Sequence, residues 1–282
     1  MGGRFWKIGG RAVDLSRRGM IMGVLNVTPD SFSDGGEYVS VQKAVEHGLQ
    51  MAADGAQIID VGGESTRPGA APVPVEEELR RVLPVIQELS AKADIFVSID
   101  TSKAKVAEAA LDSGASIVND VSGGCSDSEM MPLIAKQNAA FIIMHMQGTP
   151  QTMQAAPHYL DVVAEVADFF RQQYAIAIKC GVDLMAIAFD PGIGFGKSVE
   201  HNLELLGNLE RLRVQDRPLV VGVSRKSFLS KLIGSSSVSD RLAATVALTS
   251  VLRARGAEVL RVHDVKPNVE ALRVSEAIQQ YV

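Results

Sequence analysis

Eight short, largely β-branched apolar runs, each stopping on a polar or glycine-rich cluster, constrain the fold of this chain more than any other feature. They occupy 20–27, 57–63, 95–100, 116–122, 141–146, 185–190, 219–224 and 259–265. The residues at or just past their ends read NVTPDSFSDGG, GGESTRPGA, DTSK, NDVSGG, MHMQGTP, DPGIGFGK, SRKS and RVHD. Segments of helical character alternate with them, at 40–54, 75–92, 102–113, 127–137, 158–181, 200–213, 240–255 and 267–280. In the second of these, Leu79, Val82, Leu83, Ile86 and Leu89 recur at three- and four-residue spacing, as one helix face requires. Strand then helix, repeated with short connections, predicts a parallel sheet with helices outside it. The near-continuous apolar character of IIDVGG, FIIMHM and LVVGVS fits strands covered on both faces. An open doubly wound sheet is the competing architecture, but it binds ligands only at a switch point and needs no polar end on every strand. The pattern therefore predicts an α/β fold, a (β/α)8 TIM barrel in one domain spanning 1–282, with all eight clusters converging on one face. Ahead of the barrel, 4–8 and 11–15 flank Gly9-Gly10 and predict a short N-terminal β-hairpin plugging the bottom.

Composition excludes several function classes. The net charge is −5 and no dense Lys/Arg block exists, which argues against a nucleic-acid partner. No apolar run approaches the ~20 residues of a membrane helix, and MGGRFWKIGG lacks a signal-peptide core. Trp6 stands where a myristoylation motif requires Ser or Thr. Cys125 and Cys180 are too few and too isolated for a disulfide framework or zinc site, and are expected as small buried hydrophobes. The expectation is a soluble cytoplasmic protein acting on small molecules.

Three strand ends carry the sharpest chemical signal. Asp100, Asn119 and Asp190 each close a strongly apolar strand, so each is expected at the rim of the barrel mouth. Two carboxylates and an amide around one cavity suit a flat heterocycle with several N–H donors on one edge. The alternative, that each caps the following helix, explains one such residue more readily than three. Lys226 follows the seventh strand, while Arg261 and His263 lie two apart in the eighth and so share a face. Together with a helix start at Ser227 they predict an anion trap. For Arg261 the competing reading is a structural pair with a neighbouring Asp.

The remaining clusters are more open. The long first loop, 26–36, is either a lid carrying Phe32 or a solvated turn in which Asp30 and Asp34 cap backbone donors. Arg67 either clamps an anion or makes a surface ion pair. DPGIGFGKS invites comparison with a nucleotide P-loop, but Pro191 occupies the position of that motif's first glycine and lacks the N–H that cradles phosphate. Its glycines fit the close approach of backbone to a flat ligand, with Phe195 as a wall and Met144 as a soft floor. His145 is read as lining only, and Asp60 and Asp120 as structural.

Taken in order, GVLNVTPDSFSDGG, IIDVGGESTRPGA, SIDTSK, IVNDVSGG, MHMQGTP, DPGIGFGK, VGVSRKS and RVHDV resemble the motifs of the dihydropteroate synthase family, from about Met20 to the C-terminus. The resemblance implies a barrel that joins 6-hydroxymethyl-7,8-dihydropterin diphosphate to 4-aminobenzoate with Mg2+. It implies that Asp100, Asn119 and Asp190 bind the pterin edge and that Lys226 reaches its carbonyl and ring nitrogen. Arg261 would lie along the pterin face and, with His263 and Asn26, hold the diphosphate; Asn26 is also the implied Mg2+ ligand. Thr66, Arg67, Pro68, Phe195 and Ser227 would form the aminobenzoate site. A homodimer through outer helices is implied as well. Three other readings compete. A corrinoid-dependent methyltransferase with a pterin-binding barrel expels no diphosphate and needs no STRPG, SRKS and RVHD together. A non-catalytic pterin-binding barrel should have lost Lys226 or Arg261. A generic phosphate-binding barrel would lack the three strand-end Asp/Asn residues.

Overall fold

The barrel forms because every strand must bury both faces, one against the helices and one inside the cylinder. The computed structural model describes residues 4–28, 36–67, 69–235 and 237–281. Its strands are β1 (Phe5–Ile8), β2 (Arg11–Asp14), β3 (Met20–Asn26), β4 (Ile58–Gly62), β5 (Phe96–Asp100), β6 (Ile117–Asp120), β7 (Ala140–Met144), β8 (Ile187–Asp190), β9 (Val220–Gly222) and β10 (Val259–Val262). The last eight form one parallel sheet in the order β8-β7-β6-β5-β4-β3-β10-β9. A bridge of Phe189 with Leu219 closes it, with Phe189 N donating to Pro218 O at 2.9 Å.

Side chains alternate in and out along each strand. Outward residues such as Ile21, Leu25, Ile59, Val61, Val97 and Ile99 belong to the large core shared with the helices. Met22, Ile58, Ile117, Ala140, Ile142 and Val220 fill the lower interior. Trp6, Ile8 and Leu15 join that inner cluster, so the hairpin is the floor of the barrel. Trp6 is fully buried and its indole N–H donates to Ala186 O at 2.8 Å. The hairpin turn has positive φ at both Gly9 and Gly10, the requirement of a tight primed turn.

The helices are α1 (Gly36–Ala53), α2 (Val75–Lys92), α3 (Ala104–Asp112), α4 (Met130–Gln137), α5 (Val162–Lys179), α6 (Val199–Gly207), α7 (Ser227–Ile233), α8 (Arg241–Ala254) and α9 (Val265–Gln279). Helix α2 occupies the span that its periodicity predicts. The 200–213 segment instead breaks after Gly207 and continues as a 3-10 turn, Leu209–Leu212. Helix α7 is an extra element between β9 and α8, too short for its periodicity to register. Both cysteines are exposed, correcting the expectation of burial: Cys180 caps the outer end of α5, and Cys125 lies in the turn after β6. Among the described residues no helix is long and apolar enough to cross a membrane.

Candidate active site

Strand register assembles the mouth of the barrel. Asn26 pairs with Gly62, Gly62 with Asp100 and Asp100 with Asn119; Met144 pairs with Asp190, and Arg261 with Gly222. Residues far apart in sequence thereby stand side by side on the inward face. Asp100, Asn119, Met144 and Asp190 are buried; Asn26, Phe195, Lys226, Arg261 and His263 are partly so.

Arg261 holds the centre. Its Nε donates to Asp60 Oδ2 at 2.7 Å and its Nη2 to Asp100 Oδ2 at 2.7 Å. The reading of Arg261 as structurally paired, ranked second from sequence, is what the side chain does here. Asp60, read as merely structural, is a fully buried member of the site that also accepts from Asn119 Nδ2 at 3.0 Å. Its signal was present: a carboxylate inside IIDVGG, on the same face as Ile58 and Gly62, has to meet a cation in the barrel. Burial opposes the charge of Arg261, but Asp60 and Asp100 outweigh it and hold the guanidinium protonated.

Burial pushes Asp100 up to about 7, with Asp60 and Glu78 reinforcing it against the pull of Arg261. Asp100 Oδ1 and Asp60 Oδ1 are buried without a hydrogen-bond partner among the described residues. Asp190 is raised chiefly by burial, with Lys226 opposing, and its Oδ1 accepts from Gly192 N at 2.7 Å. Lys226 is lowered to about 8, first by burial, with Asp190 working the other way. Its Nζ donates to Ile193 O and stands 4.7 Å from the centre of the Phe195 ring, a cation–π distance.

His263 does not supply a third charge to the predicted anion trap. Burial, then Arg261 and Arg225, lower it to about 3, so the imidazole is neutral near pH 7. Its Nδ1 lies 3.1 Å from Ser224 Oγ. Arg225, beside Lys226, makes a two-point pair with Asp264 at 3.0 and 2.5 Å, tying the loops after β9 and β10. Helix α7 does begin at Ser227, which is exposed at the mouth.

The Asp190–Ser198 loop is fastened by a residue that sequence reasoning passed over. Lys197 is buried and donates to Phe195 O at 3.0 Å and His145 O at 3.3 Å, with His145 Nδ1 at 2.9 Å. His145, read as lining, is thus an anchor for the Phe195 loop. On the other strands Thr66 lines a cavity of about 260 Å3 together with Asp100, Thr101, Lys103, Val121 and Met146. Thr66 is half-buried in the loop after β4, and Phe195 and Ser227 lie in the loop after β8 and at the start of α7. Arg67 is exposed. Pro68 and the lid candidate Phe32 lie outside the described residues.

Residues 22–263 match the family model described as pterin binding enzyme. The chain is 46% identical to the dihydropteroate synthase of Escherichia coli K12 over 268 residues, 95% of this chain and 94% of that one. The dihydropteroate synthase of Xanthomonas albilineans, solved with 4-aminobenzoic acid, superposes with a TM-score of 0.91 at 44% identity, covering 99% of each chain. The same enzyme in complex with 7,8-dihydropteroate gives a TM-score of 0.88 at 42% identity and 98% coverage of each.

Proposed function

The chain belongs to the dihydropteroate synthases, within the pterin-binding enzymes, and from that premise we propose that it condenses 6-hydroxymethyl-7,8-dihydropterin diphosphate with 4-aminobenzoate to give 7,8-dihydropteroate and diphosphate. The observation that carries this reading is the meeting of Asp100, Asn119 and Asp190 with Arg261 and Lys226 on the ends of neighbouring barrel strands. Buried acceptors on one side suit a heterocycle edge rich in N–H groups, and cations on the other suit a departing anion.

Asp100 and Asp190 accept ring and exocyclic N–H bonds, Asn119 completes the edge, and Met144 floors the ring. Lys226 donates to the ring carbonyl and nitrogen, while Arg261 lies against its face. As the bond from the methylene carbon to the diphosphate oxygen lengthens, Lys226, Arg261 and a neutral His263 N–H stabilise the leaving group. The carbon left behind is cationic, and the adjacent Asp100 carboxylate favours that charge through the conjugated ring. The aminobenzoate nitrogen then bonds to this carbon and loses a proton. Phe195 walls the aminobenzoate ring, with Thr66, Arg67 and Ser227 around it, an enclosure that keeps water from taking the cation.

The donor set fits Mg2+ held mainly by substrate. Among the described residues no cluster of three His, Cys, Asp or Glu forms a metal cage. Mg2+ commonly keeps waters and binds through substrate phosphates plus one or two protein oxygens, a role open to the Asn26 side chain at the end of β3. When bound, it offsets diphosphate charge as the bond breaks.

We further propose a homodimer through the outer helices, supported by exposed Val251 on α8 and Val274 and Ile278 on α9. A monomeric mass at micromolar concentration in sedimentation would count against it. The reaction itself is tested by incubating the protein with the pterin diphosphate, 4-aminobenzoate and Mg2+. Diphosphate and dihydropteroate should appear in equal amounts and cease with excess chelator. Failure to form dihydropteroate overturns the reading, and undiminished turnover in chelator overturns the metal assignment.

A further inference from the structure

Asp60 touches the site from beneath, and no step above uses it. It lies on β4 two residues before Gly62 and is fully buried in the barrel. One oxygen, Oδ2, accepts from both Arg261 Nε at 2.7 Å and Asn119 Nδ2 at 3.0 Å. A carboxylate paired with a guanidinium has no hydrogen to donate. An amide against such an oxygen must turn its nitrogen toward it, because the reverse setting would oppose two oxygens. The Asn119 oxygen is therefore the acceptor left for a ligand. Asn119 stands in register with Asp100, whose Oδ1 is buried and has no hydrogen-bond partner among the described residues.

We infer that Asp60 is a positioning residue that locks the Asn119 amide with its oxygen toward the pocket, and so makes the pocket select heterocycles presenting N–H donors there. The inference rests on the pterin reading above and adds to it the origin of the preference. A purely structural Asp60, serving only to neutralise Arg261, would hold any flat ring equally well. The distinction lies in selectivity, since loss of the Arg261 anchor weakens all rings lying under it, whereas release of Asn119 changes which ring edge is accepted.

Asp60→Asn provides the test, because its side-chain amide both donates and accepts and leaves Asn119 able to turn over. The probes are 6-hydroxymethylpterin and the corresponding lumazine, which carries an oxo acceptor where the pterin has its 2-amino donor. By calorimetry the unmodified protein should prefer the pterin by at least ~10-fold, the scale of one good polar match against a mismatch. In Asp60→Asn the preference should shrink to within ~3-fold, whatever happens to overall affinity. A preference that survives the substitution overturns the inference. If the unmodified protein binds neither ring, the pterin reading fails instead, and the two failures are thereby told apart. Should Asp60→Asn not fold, Asp60→Ser poses the same question, and NMR poses it in the unmodified protein. There the Asn119 side-chain amide protons should be protected from exchange before any ligand is added. Protection that arises only with the pterin would place the nitrogen toward the ligand and refute the lock.

Discussion

At the scale of single residues, the site runs on one cation shared by two carboxylates. Arg261 divides its guanidinium between Asp60 and Asp100. This leaves Asp100 incompletely compensated, which is why burial lifts it to about 7, while Lys226 falls to about 8. Asp100 has to be ionised to accept a ring N–H and to favour a cation; Lys226 has to be protonated to donate. A carboxyl raised toward 7 gains activity as pH rises through that value, and a lysine lowered toward 8 loses it as pH rises further. The kcat/KM for the pterin diphosphate should therefore describe a narrow bell centred between pH 7 and 8. A profile flat from pH 6 to 9 would remove both groups from the chemistry. Asp190 bears on affinity rather than rate. Asp190→Asn leaves one acceptor where the carboxylate offered two and should weaken pterin binding by ~1.5–3 kcal/mol, the worth of a charged hydrogen bond. Unchanged affinity by calorimetry would reduce Asp190 to a cap on the Gly192 turn.

Elements matter here for what they fasten. The loop from Asp190 to Ser198 approaches β7 so closely that a Cβ on Gly192 would lie 1.9 Å from His145 O, at a φ of +63 that side chains disfavour. On its far side Lys197 ties the loop to His145. Gly192→Ala must therefore push the loop off β7 and carry Asp190 and Phe195 with it. The expected loss in kcat/KM is ~100-fold, as for a 1 Å misplacement of reacting groups. Gly207, at the end of α6, has no atom of the described residues within 4 Å of its added Cβ, so Gly207→Ala serves as the control with activity intact. Equal behaviour of the two variants would show that the loop has slack. Helix α2, the hairpin floor and the strand ends were legible in the sequence because their periodicity and turn residues are local. Helix α7 was visible only as its start at Ser227, since its seven residues are too few for a periodic signal.

For the whole molecule, the question is how loops from different strands cooperate. The residues expected to hold 4-aminobenzoate come from different elements: Thr66 and Arg67 from the loop after β4, Phe195 from the loop after β8 and Ser227 from the start of α7. A pocket built from two different loops gains from a ligand that both can hold. If the pterin passes through a cation, we propose that retained diphosphate is that ligand and that Arg67, exposed in the loop after β4, is the cation that meets it. 4-Aminobenzoate should then bind the free protein poorly and bind much better once diphosphate and Mg2+ are present. Arg67→Ala should remove most of that enhancement while leaving pterin affinity nearly intact. Equal affinity with and without diphosphate would point to a preformed site and direct displacement.

The sequence alone determined the strand–helix alternation, the barrel, the hairpin beneath it and the identity of Asp100, Asn119, Asp190, Lys226 and Arg261 as rim residues. These follow from side-chain period and from polar residues ending apolar runs, both of which are written locally. Tertiary structure decided the pairings. That Arg261 from the last strand is shared between Asp60 and Asp100, that His263 is neutral, and that Lys197 anchors the Phe195 loop all depend on which strand ends face one another and how dry they are. Closure of the cylinder sets those distances, and charge–charge interaction and desolvation depend on distance and burial rather than on order along the chain.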